Sequence, residues 1–194
     1  MGKPSAAFFS DDEIFADALT QYYTDYEPES CFVAESDGKV VGYILGAKDT
    51  GCADSVFARK IIFPLLIKAL RSKTFLRKKN MRFLSSVMLS LIKGDFKAPH
   101  FSREYPATLH INLLEQYRAG GIGSRLIAAY LDYLKRESVR GVHFATMSER
   151  ASVFFRKHNF QLLFEGKRSY FYYLLGRMVP IFIYGMRIRG SSAN

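Results

Sequence analysis

The sequence predicts a single α/β domain over residues 1–194, in which a mixed, mostly antiparallel sheet is flanked by helices. Three observations predict this fold. An Asp37-Gly38 turn separates two β-rich segments, an alternating strand near residue 110 leads through a glycine-rich turn into a helix, and further β-rich segments close the chain. With 48% hydrophobic residues, a chain of 194 residues is long enough to bury one sizeable core.

The amino-terminal part predicts a helix followed by a hairpin. Residues 10–13 are typical of a helix start, with acidic side chains facing the positive end of the helix, and an apolar face at helical spacing follows them. That helix ends before Pro28. Between Cys31 and Gly46, two β-rich segments flank Asp37-Gly38, a dipeptide typical of tight hairpin turns. The segment 6–9 is too short to predict a further strand before this hairpin.

Residues 56–97 form a basic helical insertion. This segment contains eleven Lys and Arg residues and one acid, Asp95, so it accounts for the whole net charge of +10. Its apolar residues predict two amphipathic helices, the first beginning or kinked at Pro64 and the two separated near residues 72–80. One interpretation is a lid that contacts an anionic substrate, a membrane surface or phosphates. The other is a solvated helical face packed over the sheet.

The central unit comprises residues 108–127, and its helical spacing continues to Leu134. Leu109, Ile111 and Leu113 alternate with polar residues, as in a half-buried strand, and helical spacing begins at Ile122. Because a glycine-rich turn that opens a helix presents backbone N–H groups at the positive end of the helix dipole, it predicts a phosphate site. The spacing matches neither a Walker loop nor a dinucleotide fingerprint. In the alternative interpretation, the glycines only relieve steric strain.

Downstream, the sequence predicts a strand over residues 139–147 and a helix from Glu149 to His158, with Ser148 as its cap. Asn159 supplies a left-handed helix end. Closing strands are expected at residues 161–165 and 181–188, with a tyrosine-rich connection between them.

The spacing Arg118-x-x-Gly121-x-Gly123 resembles the pyrophosphate-binding motif of the GNAT acyltransferase superfamily. The later segment Ser148-x-x-Ala151-x-x-Phe154-Phe155-x-Lys157-x-Asn159-Phe160 is similar to a second signature of that family, Asn-x-x-Ala-x-x-Phe-Tyr-x-Lys-x-Gly-Phe. The resemblance extends over residues 31–46 and 107–188, in the family's order. It implies a sheet with a splayed central strand, and direct transfer of an acetyl group from acetyl-CoA to an amine.

The resemblance also implies which residues hold acetyl-CoA. A backbone N–H near Leu113 would polarise the thioester carbonyl, and the Ser148 hydroxyl would contact the pantetheine arm. The diphosphate would be held by the charge of Arg118 and by the turn that follows, which consists of Ala119, Gly120, Gly121, Ile122, Gly123 and Ser124.

A general base would have to accept the proton of the attacking amine. His110 is the only titratable side chain of the central strand before Leu113, and the ordinary pKa of histidine suits this task. Glu115 and Glu35 are alternatives, and a structural hydrogen-bonding role is the competing interpretation of His110.

The general acid is not found where the resemblance implies it. The family's tyrosine matches Phe155, which has no proton to donate. Tyr170, Tyr172 or Tyr173 can replace it. Alternatively no acid is needed, because a thiol with a pKa of around 8.5 leaves without protonation.

The sequence therefore predicts an acetyl-CoA-dependent N-acetyltransferase that acts on a small-molecule or peptide amine, including an anionic one. The rivals are a catalytically silent CoA-binding module, suggested by Phe155, and an acyltransferase docked on a membrane surface through residues 56–97. The positive charge argues against polyamines and basic protein tails as acceptors. Nucleic acid is disfavoured because aromatics are few in the basic segment and no nucleic-acid-reading motif appears.

Compartment and metal content follow from simpler features. Cys31 and Cys52 have neither a metal nor a redox spacing, so no metal site is predicted. With no secretory signal and no apolar run long enough to span a membrane, the expected location is the reducing cytoplasm.

Overall fold

The structure, a computed structural model, describes residues 9–118 and 120–188. The helices are α1 (Asp12–Asp25), α2 (Thr50–Val56), α3 (Ile62–Arg71), α4 (Lys78–Ile92), α5 (Ile122–Arg136), α6 (Glu149–Lys157) and α7 (Tyr172–Leu175). The strands are β1 (Phe32–Ser36), β2 (Lys39–Ala47), β3 (Thr108–Leu113), β4 (Gly141–Thr146), β5 (Gln161–Arg168) and β6 (Val179–Arg187).

The strands form two antiparallel halves that meet at the centre of the molecule. One half has the order β1-β2-β3 and the other the order β4-β6-β5. The parallel strands β3 and β4 join at a bridge between Ala107 and Val142, where the His143 N–H donates to the Ala107 carbonyl at 2.9 Å. Among the described residues, no further backbone pairing joins β3 to β4 beyond this bridge. The predicted mixed sheet with a splayed central strand is confirmed.

Local signals explain the amino-terminal elements. Asp11 caps α1, because its side chain accepts from the Ile14 N–H at 3.2 Å. Asp37 and Gly38 both have positive φ angles, 52° and 71°, which is the geometry that a two-residue hairpin turn requires. The predicted helix and hairpin are therefore confirmed. Of the short segment 6–9, only Phe9 lies within the described residues, and it is buried beside α1.

The main core lies between the sheet and α5. Tyr130 of α5 is fully buried, and its hydroxyl donates to the Thr108 carbonyl of β3 at 2.6 Å. Around it pack apolar side chains from the central strands and α5, including Ile44, Leu109, Leu126, Ile127, Leu134, Val142 and Phe144. This packing fixes the start of α5 relative to the splayed strands.

The insertion begins earlier than predicted and contains a π-helical turn. The helix starts at Thr50, and residues 57–61 widen to a π turn in which the Ile62 N–H donates to the Phe57 carbonyl. Pro64 follows in the first turn of α3. Because proline lacks an N–H and its ring crowds the carbonyl four residues earlier, the wider turn avoids that clash. The predicted irregularity of the helix near Pro64 is confirmed. The insertion, however, begins before the predicted residue 56.

The two helices of the insertion pack differently. α3 buries Leu65 and Ala69 in a second apolar cluster, which also contains Phe9 and Ile14. Its Lys68 forms ion pairs at 2.7 Å with both Glu13 and Asp17 of α1. In α4 the buried residues are the polar Asn80 and Ser90, whereas the apolar Leu84, Met88 and Leu91 are exposed. These three side chains therefore do not belong to a face packed over the sheet, whereas Phe83 of the same helix is partly buried against the apolar cluster that α3 also contacts.

We expect Gly46→Ala to destabilise the fold by about 1–3 kcal/mol, because overpacking a core carries that cost. The added Cβ would lie 2.1 Å from a ring carbon of Tyr130, which is fully buried and cannot move aside. Chemical unfolding measures this change. Gly51→Ala is the control, since its Cβ meets only the tip of the Asp49 side chain at 3.2 Å. Equal stabilities of the two variants would contradict the packing of α5 described above.

Candidate functional site

A cleft of about 530 Å³ opens where β3 and β4 separate. Residues 109–113 line one wall and residues 144–148 the other. Arg118, Gly123 and residues of α6, among them Ala151 and Phe154, close its end. The cleft is therefore formed mainly by two strands that would pair in a continuous sheet.

Backbone groups of β3 point into this cleft. In an antiparallel ladder, successive residues direct their N–H and C=O groups to opposite sides. The Leu114 N–H donates to the Val41 carbonyl at 2.9 Å, so the even-numbered residues face β2. Ala107 bonds to β4, so the odd-numbered residues, including Ile111 and Leu113, face the cleft. The polar backbone of Leu113 thus lies where the sequence placed an N–H donor.

The glycine-rich turn forms an open helix start. Gly121 has a φ of +75° and precedes α5, and no described side chain caps this end. The Arg125 N–H is the first to find a carbonyl of the helix, that of Gly121 at 3.1 Å. The N–H groups of the three preceding residues consequently have no acceptor within the helix. A Cβ built on Gly121 meets no described atom within 4 Å, so this side of the turn is open among the residues that the structure describes.

Arg118 lies at the junction of the turn and the cleft. Its Nε donates to the Leu113 carbonyl at 3.1 Å, which holds the guanidinium at the cleft mouth. Ala119, also predicted to contact the diphosphate, lies outside the described residues. The structure therefore places Arg118 against Leu113, close to the Gly121 turn.

His158 is a residue at this turn that sequence reasoning missed. Its Nε2 lies 3.0 Å from the Ser124 hydroxyl oxygen in the first turn of α5, and its ring lies 4.6 Å from the Phe154 ring. Asn159, with a φ of 62°, ends α6 directly after it. The sequence signalled the end of α6, but only the packing of α6 against α5 places the imidazole beside the helix start.

The second signature segment forms the other side of the cleft. Ser148 caps α6 by accepting from the Ala151 N–H at 3.2 Å, as predicted, and it lines the cleft. Phe155 is only 4% exposed, and its ring lies 4.2 Å from that of Phe144 in the core. The position at which the family has tyrosine is therefore filled by a core side chain that carries no proton for transfer.

His110 lines the cleft from the face of the sheet opposite α5. Its side chain is exposed, with the Tyr43 ring 6.1 Å away. The protein nevertheless removes part of the surrounding water, and this desolvation lowers the pKa of His110 from its ordinary value of 6.5. Most of the imidazole is thus neutral near pH 7. The alternatives Glu35 and Glu115 are exposed and lie outside the cleft lining.

The three candidate tyrosines occupy different environments. The Tyr170 hydroxyl donates to Sδ of Met147, a cleft residue, at 3.2 Å, and burial raises the pKa of Tyr170. Tyr172 is 56% exposed and does not line the cleft. Burial also raises the pKa of Tyr173, whose ring contacts the Arg82 guanidinium at 5.0 Å. The structure therefore places Tyr170 next to the cleft, but not Tyr172.

A mixed sheet that opens into a cleft beside an uncapped glycine turn agrees with the fold that the resemblance implies. The acetyltransferase (GNAT) family model matches residues 5–160, and the chain belongs to this family. Its enzyme class is accordingly that of an acyltransferase, as predicted. No curated protein sequence matches the chain significantly.

Solved structures share the fold. SsHAT is 21% identical with a TM-score of 0.64, over 97% of this chain and 87% of that one. The Drosophila melanogaster polyamine N-acetyltransferase is 14% identical with a TM-score of 0.53, over 86% of this chain and 79% of that one. Ard1 from Thermoplasma volcanium is 16% identical with a TM-score of 0.50, over 88% of this chain and 78% of that one.

Within residues 9–118 and 120–188, no group of three or more His, Cys, Asp or Glu residues has the arrangement of a metal site. Within the same ranges, no helix combines the length and the apolar character needed to cross a bilayer.

We expect the His110 imidazole to titrate below pH 6.5 in an NMR titration of its ring protons, because desolvation disfavours the charged form. Tyr43→Ala exposes the ring to more water, so it should raise the pKa towards the ordinary value. A wild-type pKa at or above 6.5 would contradict the environment described for this residue.

Proposed function

We propose that this protein is an acetyl-CoA-dependent N-acetyltransferase that transfers the acetyl group directly to an amine. The open start of α5 at Gly121 is the observation that carries the proposal. Backbone N–H groups without helix partners lie there at the positive end of a 15-residue helix, and no described side chain caps them, which suits a diphosphate.

Acetyl-CoA would occupy the turn and the cleft together. The N–H groups of Gly121, Ile122, Gly123 and Ser124 would hold the diphosphate. Those of Ala119 and Gly120 would also contribute, and Arg118 would add charge. The pantetheine arm would lie between β3 and β4, whose cleft-facing backbone groups match its amides, and the Ser148 hydroxyl is within the same lining. The Leu113 N–H, directed into the cleft, would stabilise the thioester oxygen as it gains charge.

In the reaction, the amine lone pair attacks the thioester carbonyl carbon and a tetrahedral intermediate forms. The C–S bond then breaks, the acetyl group stays on nitrogen and the coenzyme A thiolate leaves. His110 would take the proton that the amine loses, through a water molecule, because its lowered pKa keeps it neutral and able to accept a proton near pH 7.

The thiolate can leave without an acid, since a thiol pKa is only about 8.5. If a proton is donated, Tyr170 is better placed than Tyr172. Its hydroxyl lies against the cleft residue Met147, and its raised pKa keeps it protonated at neutral pH. Loss of the Tyr170 hydroxyl is therefore expected to matter less than loss of His110.

The acceptor class follows from charge. A net charge of +10 repels polyamines and basic peptide tails, so a neutral or anionic small molecule or peptide amine fits this protein better. The basic residues 56–97 would contact either such an acceptor or an anionic surface. A reducing cytoplasm is the proposed compartment, consistent with the free thiols of Cys31 and Cys52.

Phe155 favours a second candidate, a CoA-binding module without turnover. Thiol release from acetyl-CoA, measured over a broad panel of amines, separates the two. The enzyme requires release that depends on an amine, together with an acetylated product detected by mass spectrometry. Tight CoA binding with no release for any amine would favour the module.

We expect Gly121→Glu to weaken CoA binding roughly a hundredfold, because it places a carboxylate against the diphosphate. Calorimetric titration with CoA measures this effect. Gly38→Glu is the matched control, since Gly38 also has a positive φ, 71°, with no atom within 4 Å of a built Cβ. It imposes the same backbone strain at the hairpin. CoA binding that weakens equally in both variants would oppose the assignment.

We expect His110→Gln to lower kcat roughly a hundredfold, the usual size of general-base catalysis. The pH profile is the sharper measurement. Because neutral His110 is the active form, wild-type kcat should be lost as the pH falls through its lowered pKa, below 6.5. That acidic limb should be absent in His110→Gln, with CoA affinity unchanged. A variant that keeps the acidic limb would show that another group is the base.

A further inference from the structure

The inner face of helix α4 is partly polar, with Phe83 packed among its polar residues. Its two fully buried residues are Asn80 and Ser90, and no apolar residue of α4 is fully buried. Asn80 accepts from the Ser10 N–H at 2.9 Å and donates to the Thr74 carbonyl at 2.9 Å. The buried polar groups at its amino-terminal end are therefore paired with the protein body.

Two serines further along the inner face are attached in the same way. The Ser86 hydroxyl donates to the Tyr170 carbonyl at 2.8 Å, and the Ser90 hydroxyl donates to Asp95 at 2.6 Å. Asp95 also accepts from the Ser169 N–H at 2.9 Å. Hydrogen bonds thus hold α4 in one orientation, and this orientation determines which side chains it turns outward.

The outer face of α4 is an apolar stripe. Met88 is 59% and Ile92 is 77% exposed, and the whole stripe consists of Met81, Leu84, Met88, Leu91 and Ile92. Their spacing of three and four residues places all five on one side of the helix. A contiguous exposed apolar face of this kind marks a surface that binds a partner or a membrane.

The charge around the stripe is uniformly positive. At 100° per residue, Lys78, Arg82 and Lys93 lie along one edge of the stripe, and α4 contains no acidic residue. Asp95, the one acid of the basic segment, is occupied by Ser90 and Ser169. The partner must therefore offer an apolar interior beneath negative charge.

We propose that the α4 stripe docks on an anionic lipid surface, with α4 lying in the plane of the interface. Apolar side chains would enter the acyl boundary while Lys78, Arg82 and Lys93 contact the headgroup phosphates. A second copy of this chain would bring two strongly basic segments together, and a nucleic acid would leave the stripe uncovered. This docking does not depend on acetyl transfer.

The docking would place the cleft close to the bilayer. Ser86 on the inner face of α4 holds the Tyr170 carbonyl, and the Tyr170 hydroxyl reaches Met147 of the cleft. Tyr170 therefore links the docked helix to the cleft wall. An acceptor amine at the membrane surface would then lie near the site, and this last point alone rests on the proposed function.

Fluorescence tests the docking directly because the sequence contains no tryptophan. Met88→Trp places a single indole in the stripe, and Leu19→Trp places one at a leucine of α1 that is 51% exposed. With vesicles of phosphatidylcholine and phosphatidylglycerol, we expect a blue shift for Met88→Trp only. Brominated acyl chains should quench that emission. No shift for Met88→Trp, or equal shifts for both variants, would overturn the proposal.

Vesicle sedimentation separates the apolar from the electrostatic contribution. We expect the double variant Met88→Ser/Ile92→Ser to bind the anionic vesicles roughly tenfold more weakly, with Leu19→Ser as the control. Lys78→Glu/Lys93→Glu should also bind more weakly, and wild-type binding should fall as salt rises. Thermal unfolding checks that each variant is folded.

Two results would contradict the proposal. One is wild-type protein that stays in the supernatant with anionic vesicles at low salt. The other is a wild-type dimer in sedimentation velocity that the Met88→Ser/Ile92→Ser variant dissociates, with no difference in vesicle binding. The second result would assign the stripe to a second copy of the chain.

Discussion

The structure depends on the separation of β3 from β4 just beyond the Ala107–Val142 bridge. Continued pairing would use the inward backbone groups of both strands. Their separation instead leaves those of Ile111 and Leu113 facing a cleft. A buried backbone group without a partner costs about 1–3 kcal/mol, so such a cleft favours water or a ligand with amide groups. The cleft is thus a consequence of strand geometry more than of special side chains.

Packing around α5 places the glycine-rich turn beside the separated strands. Tyr130 fills the space above Gly46 and bonds to Thr108, so the helix is fixed against the strand that separates from β4. Its uncapped start then lies at the mouth of the cleft. One contact between a tyrosine and a glycine therefore sets the relative position of the phosphate turn and the strand backbone.

Much of this was predictable because the signals are local. Asp37-Gly38 and Gly121 adopt the positive φ angles that their positions in turns require. The direction of the α4 face was not predictable, since helical spacing shows that a face exists but not whether it turns inward. Nor was His158, whose proximity to Ser124 arises from packing between α5 and α6. The residue pattern of a sequence predicts helix faces and turns, whereas contacts between segments distant in sequence determine what each face packs against.

Hydrogen exchange of the backbone amides with and without CoA tests the central claim most directly. If the turn and the separated strand hold the carrier, CoA should slow exchange at Leu113, Ile122, Gly123 and Ser124. The amide of Leu114 is already bonded to Val41, so its exchange should change little. Unchanged exchange at the turn, with CoA bound elsewhere, would contradict the account.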